Sequence, residues 1–237
     1  DNGVYAVKQD GRLIPLSKAD YQCISVAIVH DDHKIMIEKN EDSNQSYKTA
    51  TSGLPDSSNK TYSFYWGEYG TDQTGITNYD KVDGSNDFGF LKPESGSYNG
   101  TPNLSANVTA WTSGALSDWD GKANSNVLKG VTTGGGSYTS YATAGHVLNT
   151  FLASADAKGY DDWYIPSCGQ LSLIYMYLIS VNNALLAIGG QPLDTRYYWS
   201  SSEHSSNSGW IVLFNNGRTF TRYKRLTSSV RFVRDIE

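Results

Sequence analysis

Cysteine, proline and positive charge are all scarce in this chain, and each shortage excludes a class of protein. Only Cys23 and Cys168 occur in 237 residues. Two cysteines in unlike contexts cannot make the dense disulfide framework of a small secreted scaffold, and two buried free thiols are expected in preference to one bridge. Nineteen Lys and Arg against 24 Asp and Glu leave a net charge of −5, which argues against nucleic acid as a partner. No apolar run is long enough to span a bilayer, so no membrane insertion is expected, and no signal peptide is recognisable. The chain opens on Asp1 rather than Met, as a mature or trimmed piece of a longer protein would.

Signatures of catalysis are missing as well. There is no Gly-x-Ser-x-Gly elbow, no His-Glu-x-x-His helix and no Gly-x-x-x-x-Gly-Lys phosphate loop. Gly134-Gly135-Gly136-Ser137 follows no clear strand and has no lysine partner, so it is expected to be a flexible loop. His30 and His33 flank a turn and could reach a metal only with ligands from elsewhere; exposed imidazoles are expected there. His146 lies between apolar helical positions. Asp118, Asp120 and Asn124 read as a solvated acidic turn rather than an ion site. No catalytic residue, cofactor or metal is assigned, and the chain is not expected to be an enzyme.

What remains is rich in rigid contact residues, with 17 tyrosines and six tryptophans, in a length that suits one large domain with a small extension. Val4–Val7, the turn Gln9-Asp10-Gly11 and Leu13–Leu16 predict a hairpin, and residues 1–20 read as an added ribbon. A second hairpin places Ile24, Val26 and Ile28 before His30-Asp31-Asp32-His33 and Ile35 and Ile37 after it. Residues 40–62 and 71–110 are loop-rich. Ala144, Leu148, Phe151 and Ala155 fall on one face of a first helix, stopped at Gly159. A second helix starts at Ser167, where Gln170 completes a capping box, and carries Leu171, Ile174, Tyr175 and Leu178. A shorter turn covers Asn183–Ile188. Trp210, Val212 and Phe214 alternate with Ile211 and Leu213, Asn216-Gly217 turns the chain back, and Val230–Arg234 is the expected last strand.

Three segments carry a resemblance: Tyr65-Trp66-Gly67-Glu68-Tyr69-Gly70-Thr71-Asp72, then Asp162-Trp163-Tyr164-Ile165-Pro166-Ser167, then the stretch from Tyr197-Tyr198-Trp199-Ser200-Ser201-Ser202-Glu203 to Val230-Arg231-Phe232-Val233-Arg234. In that order they are similar to the C-type-lectin-like domains of bacteria and phages, including the proteins varied by diversity-generating retroelements. The match covers most of residues 22–237. It implies an α+β C-type lectin fold, with twisted antiparallel sheets, two helices and a loop-rich insertion, over residues 21–237. It also implies that the last strand pairs near the first. Animal lectins of this fold lean on disulfides; here a large core would take their place.

The resemblance also implies a variable region at about 196–234. Miscopying of template adenines lets AAC or AAT codons become Tyr, Ser, Arg, His, Phe, Leu, Ile, Thr or Asp, but not Trp, Lys, Glu, Gln or Met. Trp199, Glu203, Trp210 and Lys224 therefore fall on the scaffold. Arg196, Tyr197, His204, Ser205, Ser208, Ile211, Leu213, Arg218, Phe220, Arg222, Tyr223 and Arg225 form the candidate ligand-binding face, and Leu226, Asn207, Asn215 and Asn216 fit the same pattern. The implied partner is a host cell-surface protein or glycan receptor, contacted from a phage tail tip or a bacterial surface appendage, with homo-oligomers on a tail fibre or pilus. Arg218, Arg222 and Arg225 are candidates for an anionic ligand; a solvated basic edge is the bland alternative. The calcium–sugar site of other lectins is not expected, since Gln191-Pro192 runs into Leu193 and Trp199 into Ser200. Two further readings stay open: a relative of the formylglycine-generating oxidases, which share the broad fold but need active-site cysteines this chain does not place, and a structural capsid or pilus subunit.

Overall fold

The computed structural model describes residues 1–40, 63–84, 87, 89–91 and 111–236, so much of the loop-rich sequence at 40–62 and 71–110 lies outside the described residues. Alternation and turn chemistry build the first sheet. Strands β1 (Gly3–Val7) and β2 (Leu13–Ile14) form the hairpin expected around Asp10-Gly11. Strands β3 (Ser25–His30) and β4 (His33–Glu38) pair in register down to His30 opposite His33, with Asp31 at φ 52 in the two-residue turn. The first ribbon is continuous with this sheet, since β1 runs antiparallel to β3 from Gly3 opposite Val29 to Val7 opposite Ser25.

Four helices occur among the described residues, not two: α1 (Gly121–Leu128), α2 (Ala144–Leu152), α3 (Cys168–Met176) and α4 (Leu178–Ala187). The Thr143 hydroxyl caps α2 by accepting the His146 N–H at 3.2 Å. Helix α2 ends at Leu152, and Ala155 belongs to a separate 3-10 turn, Ala155–Ala157. Ser167 and Gln170 make both bonds of the expected capping box on α3. The long second helix breaks at Tyr177 with a bend of 76°, and the turn expected at 183–188 is the end of α4. The break has a packing reason: α3 lies against the last meander, whereas α4 lies against β1 and β3.

That meander consists of β7 (Tyr197–Ser205), β8 (Ser208–Leu213) and β9 (Arg218–Tyr223), joined at its edge by β6 (Gly89–Phe90) in the order β6-β9-β8-β7. A short pair, β5 (Phe64–Tyr65) with β10 (Thr227–Ser228), crosses nearby. The last strand, β11, covers Val233–Asp235 rather than 230–234. It pairs with β4, giving the five-strand order β11-β4-β3-β1-β2, so two strands separate it from β1. Residues 230–232 fall outside the strand. The Phe232 carbonyl accepts the Glu38 N–H at 2.9 Å, but the Phe232 N–H goes to the Glu38 carboxylate (3.0 Å). The buried Arg231 guanidinium takes the carbonyls of Glu38 (3.0 Å), Lys39 (3.1 Å) and Gln191 (2.5 Å).

Two large cores result. The first gathers Val26, Ile28, Ile35 and Ile37 of the five-stranded sheet with α3, α4, Trp210, Val212 and Phe214. The second gathers Phe64, Trp66, Leu128, Val147, Phe151, Trp163, Trp199, Ile211 and Phe232. Each fully buried aliphatic or Phe side chain contributes about 1.5–3 kcal/mol relative to exposure. Cys23 and Cys168 are buried and unbridged. A Cβ on Gly145 would stand 1.8 Å from the Leu128 carbonyl oxygen, so glycine there lets the end of α1 sit on α2. The molecule is thus α+β with antiparallel sheets, a meander clamped between two cores, and helices at both.

Candidate functional site

The clamp is made of the residue types that the codon argument assigned to the scaffold. Trp199, Glu203, Trp210 and Lys224 are all fully buried, as is Trp66. Each indole N–H finds a backbone carbonyl: Trp66 donates to Ser200 and Trp199 to Phe64, both at 2.7 Å, and Trp210 to Tyr79 at 2.9 Å. Gly209 is required beneath them, since a Cβ would lie 2.8 Å from the Trp66 ring. Glu203 and Lys224 form an ion pair with no exposed side-chain surface. The Glu203 carboxylate also accepts the Gln73 N–H (3.1 and 3.2 Å), while the Lys224 ammonium donates to Thr71 O (2.8 Å) and lies 4.7 Å from the Trp66 ring centroid. Burial pushes the Glu203 carboxyl up and the Lys224 ammonium down, and their mutual bond opposes both shifts. A buried pair of this kind specifies geometry more than it adds net stability. Here it fixes the 71–73 segment across the end of the meander.

Around this frame runs a rim of aromatic and arginine side chains. Strand register sets Tyr197, Leu213 and Arg218 abreast, and Trp199, Ile211 and Phe220 abreast beside them, on one face. Ile211 was expected to be exposed and is not. It is fully buried in the second core, because Phe64, Trp66 and Val230 roof the middle of this face. Ser208 is buried too, at 7% exposure. Arg218, Tyr223 and Arg225 are exposed, as is Tyr197 at the strand start; His204, Ser205, Leu213, Phe220 and Arg222 are half-buried. Arginines lie over rings throughout: Arg218 over Phe220 (4.4 Å), Arg222 over Tyr197 (4.8 Å) and Arg225 over Tyr69 (4.9 Å) and Tyr223 (5.2 Å).

Where β7 turns into β8, beside the end of β9, side chains of this rim line an open cavity of about 550 Å³. His204, Ser205, Ser208, Phe220, Arg222 and Tyr223 line it, together with Asn207, Leu226 and Thr221. None of the lining residues is acidic. Tyr197 joins through its edge contact with Phe220 (5.9 Å), and Arg225 through Tyr223. Arg196 stands apart, with its Nε donating to Asp194 at 3.1 Å. Thr221, opposite the buried Trp210, also lines the cavity and was not among the candidates. Two more tyrosines were missed, Tyr69 and Tyr138, whose rings meet edge-on at 5.4 Å; the Tyr138 hydroxyl bonds Arg225 at 3.2 Å. Tyr69 is in the Trp-Gly segment and Tyr138 follows the glycine cluster, but only the fold brings them to the meander. That cluster is a loop whose first residue is packed: the Gly134 carbonyl accepts the Tyr69 N–H at 2.9 Å, and a Gly134 Cβ would strike Tyr138 and Tyr65, whereas Gly136 and Ser137 are exposed.

The other candidate groups are structural. Asp118 is buried instead of solvated and accepts bonds from Ser202 Oγ (2.5 Å), Asn124 Nδ2 and the Asp120 N–H (both 2.9 Å); burial raises its pKa against those bonds. Asn124 sits on α1, not in a turn. His33 is half-buried, stacked on Trp119 at 3.6 Å, and His30 Nδ1 bonds Tyr177 Oη at 2.6 Å, so neither is a bare turn imidazole. Burial pushes the Cys168 thiol far up. Among the described residues no group of three or more His, Cys, Asp or Glu could hold a metal ion.

No protein-family model matches the chain, and no curated protein matches it. Two solved chains match it in structure. One is a fimbrial protein from Bacteroides ovatus, with a TM-score of 0.50 at 15% identity, aligned over 99% of this chain and 48% of that one. The chain spans about half the length of that fimbrial protein, and the likeness is one of fold.

Proposed function

We propose that the chain is a non-enzymatic binding domain carried on a surface structure, and that it contacts a cell-surface receptor with the rim of the β7–β9 meander. One observation carries the reading: residues that Asn-codon variation cannot produce are the buried frame, while Arg218, Tyr223, Arg225 and Tyr197, which it can produce, are on the outside. That division suits the C-type-lectin-like, retroelement-varied type, in which a fixed scaffold presents changeable side chains. Tyr and Phe give contact area at low entropic cost, and Arg adds charge-assisted bonds. The oxidase alternative is less favoured, because both cysteines are buried and burial holds the Cys168 thiol protonated.

A bacterial surface appendage is favoured over a phage tail tip by the fimbrial likeness in fold. The same likeness supports the second reading, a structural appendage subunit whose rim is covered by a neighbouring copy. Replacing Tyr197, Arg218, Tyr223 and Arg225 together separates the two. Loss or redirection of binding to a panel of gut bacterial and epithelial cells, in a protein that stays monomeric and folded, supports recognition. Undiminished binding to the same cells rejects it, and loss of self-assembly favours the subunit. Binding is expected to persist in chelator. A near-copy of the codons for residues 196–234, differing at adenines and lying beside a reverse transcriptase gene, would establish the varied class.

A further inference from the structure

We infer that the cavity between the β7–β8 turn and the end of β9 receives a carboxylate-bearing sugar, with Arg222 binding the carboxylate. The inference rests on the reading of this rim as the recognition face. Arg222 is the one cation among the lining residues besides the titratable His204, and no lining residue is acidic. Its guanidinium carries five N–H donors. Among the described residues it makes one hydrogen bond, to the Thr227 carbonyl at 3.3 Å, while its Nε is buried with no partner. Half-burial without a counter-charge lowers its pKa through desolvation, and Tyr197 opposes that. Because that Nε is buried, a carboxylate arriving from outside would meet the two terminal nitrogens, supplying the missing charge in a planar, bidentate match.

The rest of the lining decides between kinds of anion. Ser205, Asn207, Ser208 and Thr221 are neutral hydroxyl and amide groups, and Phe220, Tyr223 and Leu226 are apolar walls. One cation ringed by several neutral donors and acceptors and by aromatic faces suits a ligand with one negative charge, many hydroxyls and apolar C–H faces. A polyacidic peptide presents several carboxylates and would need several cations in the cavity. A volume of about 550 Å³ falls in the range of sites for small ligands, about 300–1,000 Å³.

Calorimetric titration of the full chain tests this with two singly carboxylated probes, a sialic-acid-terminated trisaccharide and a neutral trisaccharide ended by one galacturonic acid. Their methyl esters, the neutral parent sugars and a hexaglutamate peptide complete the set. Binding of either carboxylated probe is expected, which also identifies the source. Esterification should weaken it about tenfold or more, as loss of a charged hydrogen-bonded pair does. Arg222→Gln and Arg222→Lys should do the same, because a point charge does not replace the fork. The ester comparison needs no variant, so it decides even if Arg222→Gln misfolds. Failure of both carboxylated probes, equal binding of the esters, or binding of hexaglutamate alone overturns the inference. If cell binding still depends on the rim in that case, the recognition face stands and only the ligand class falls. If cell binding is also indifferent to the rim, both fall.

Discussion

The middle of the β7–β9 meander and its rim are built from the same three strands yet obey different rules. In the middle, Trp199, Trp210, Glu203 and Lys224 have no exposed surface, and their polar atoms bond to neighbours drawn from residues 64–79. At the rim, Arg225 and Tyr223 touch mainly each other, Tyr69 and Tyr138. The middle is held by constraints from several directions at once, so any change there must be accommodated by backbone. The rim is held by ring and guanidinium contacts whose other side is water. A single sheet can therefore keep one shape if its edge chemistry changes, provided that the side chains that hold that shape lie inside.

The sharpest way to break that contrast is to cut the middle. Trp210→Ala or Trp199→Ala should cost about 3–5 kcal/mol in denaturant unfolding, through lost transfer energy and an unfilled cavity. A cost near that of a surface change would erase the distinction. Lys224→Ala should follow at about 3 kcal/mol, because it strands the buried Glu203 carboxylate. The double change Glu203→Gln with Lys224→Met should be less damaging than Lys224→Ala alone; a worse double mutant would mean that the pair itself supplies the stability. By contrast, the fourfold rim replacement at Tyr197, Arg218, Tyr223 and Arg225 should cost about 0.5 kcal/mol or less per site and move the melting temperature by only a few degrees.

The smallest effect is a control on pH. Asp162 accepts a two-pronged pair from Arg234 at 2.8 Å, and that bond holds its carboxyl below the usual 3.8. The folded chain thus binds this proton more weakly than the unfolded chain, so the stabilisation is present above pH 3.8 and is lost as acid titrates the folded group. Asp162→Asn should flatten the stability profile below pH 3.8 while leaving rim binding at neutral pH unchanged. An unaltered acid limb would remove Asp162 from the account.

Much of this was legible in the residue order, and the exceptions share a cause. The hairpins at Asp10-Gly11 and Asp31-Asp32, the capping box at Ser167 and the meander were read correctly because turn chemistry and alternation are local. Helix α1 escaped notice because its buried positions are Gly121, Asn124, Ser125 and Leu128, which leave almost no apolar stripe. The break at Tyr177 was hidden by the opposite fault: nearly every residue of α3 is buried, so no stripe marks where its neighbours change. Ile211 was misplaced because alternation was taken to separate core from water, whereas here it separates one core from another. At the candidate site, the inward placement of Trp199, Glu203, Trp210 and Lys224 followed from residue type, but Tyr69 and Tyr138 reach the rim only through contacts distant in sequence.

The pairing of β11 with β4 carries a consequence for how the molecule comes into being. Val233 lies opposite Ile37, so the central sheet closes a loop nearly as long as the chain. The entropy of that closure must be met before the contacts that reward it exist, which places the fold among slow, topologically complex ones. On a ribosome the sheet cannot be completed until residue 235 has been made. A chain stopped short of Val230 would lack Arg231 on the Glu38, Lys39 and Gln191 carbonyls and Arg234 on Asp162. Strands β7–β9 are thus synthesised just before the strand that locks the sheet, and a truncated copy would carry the rim residues without the closed sheet behind them.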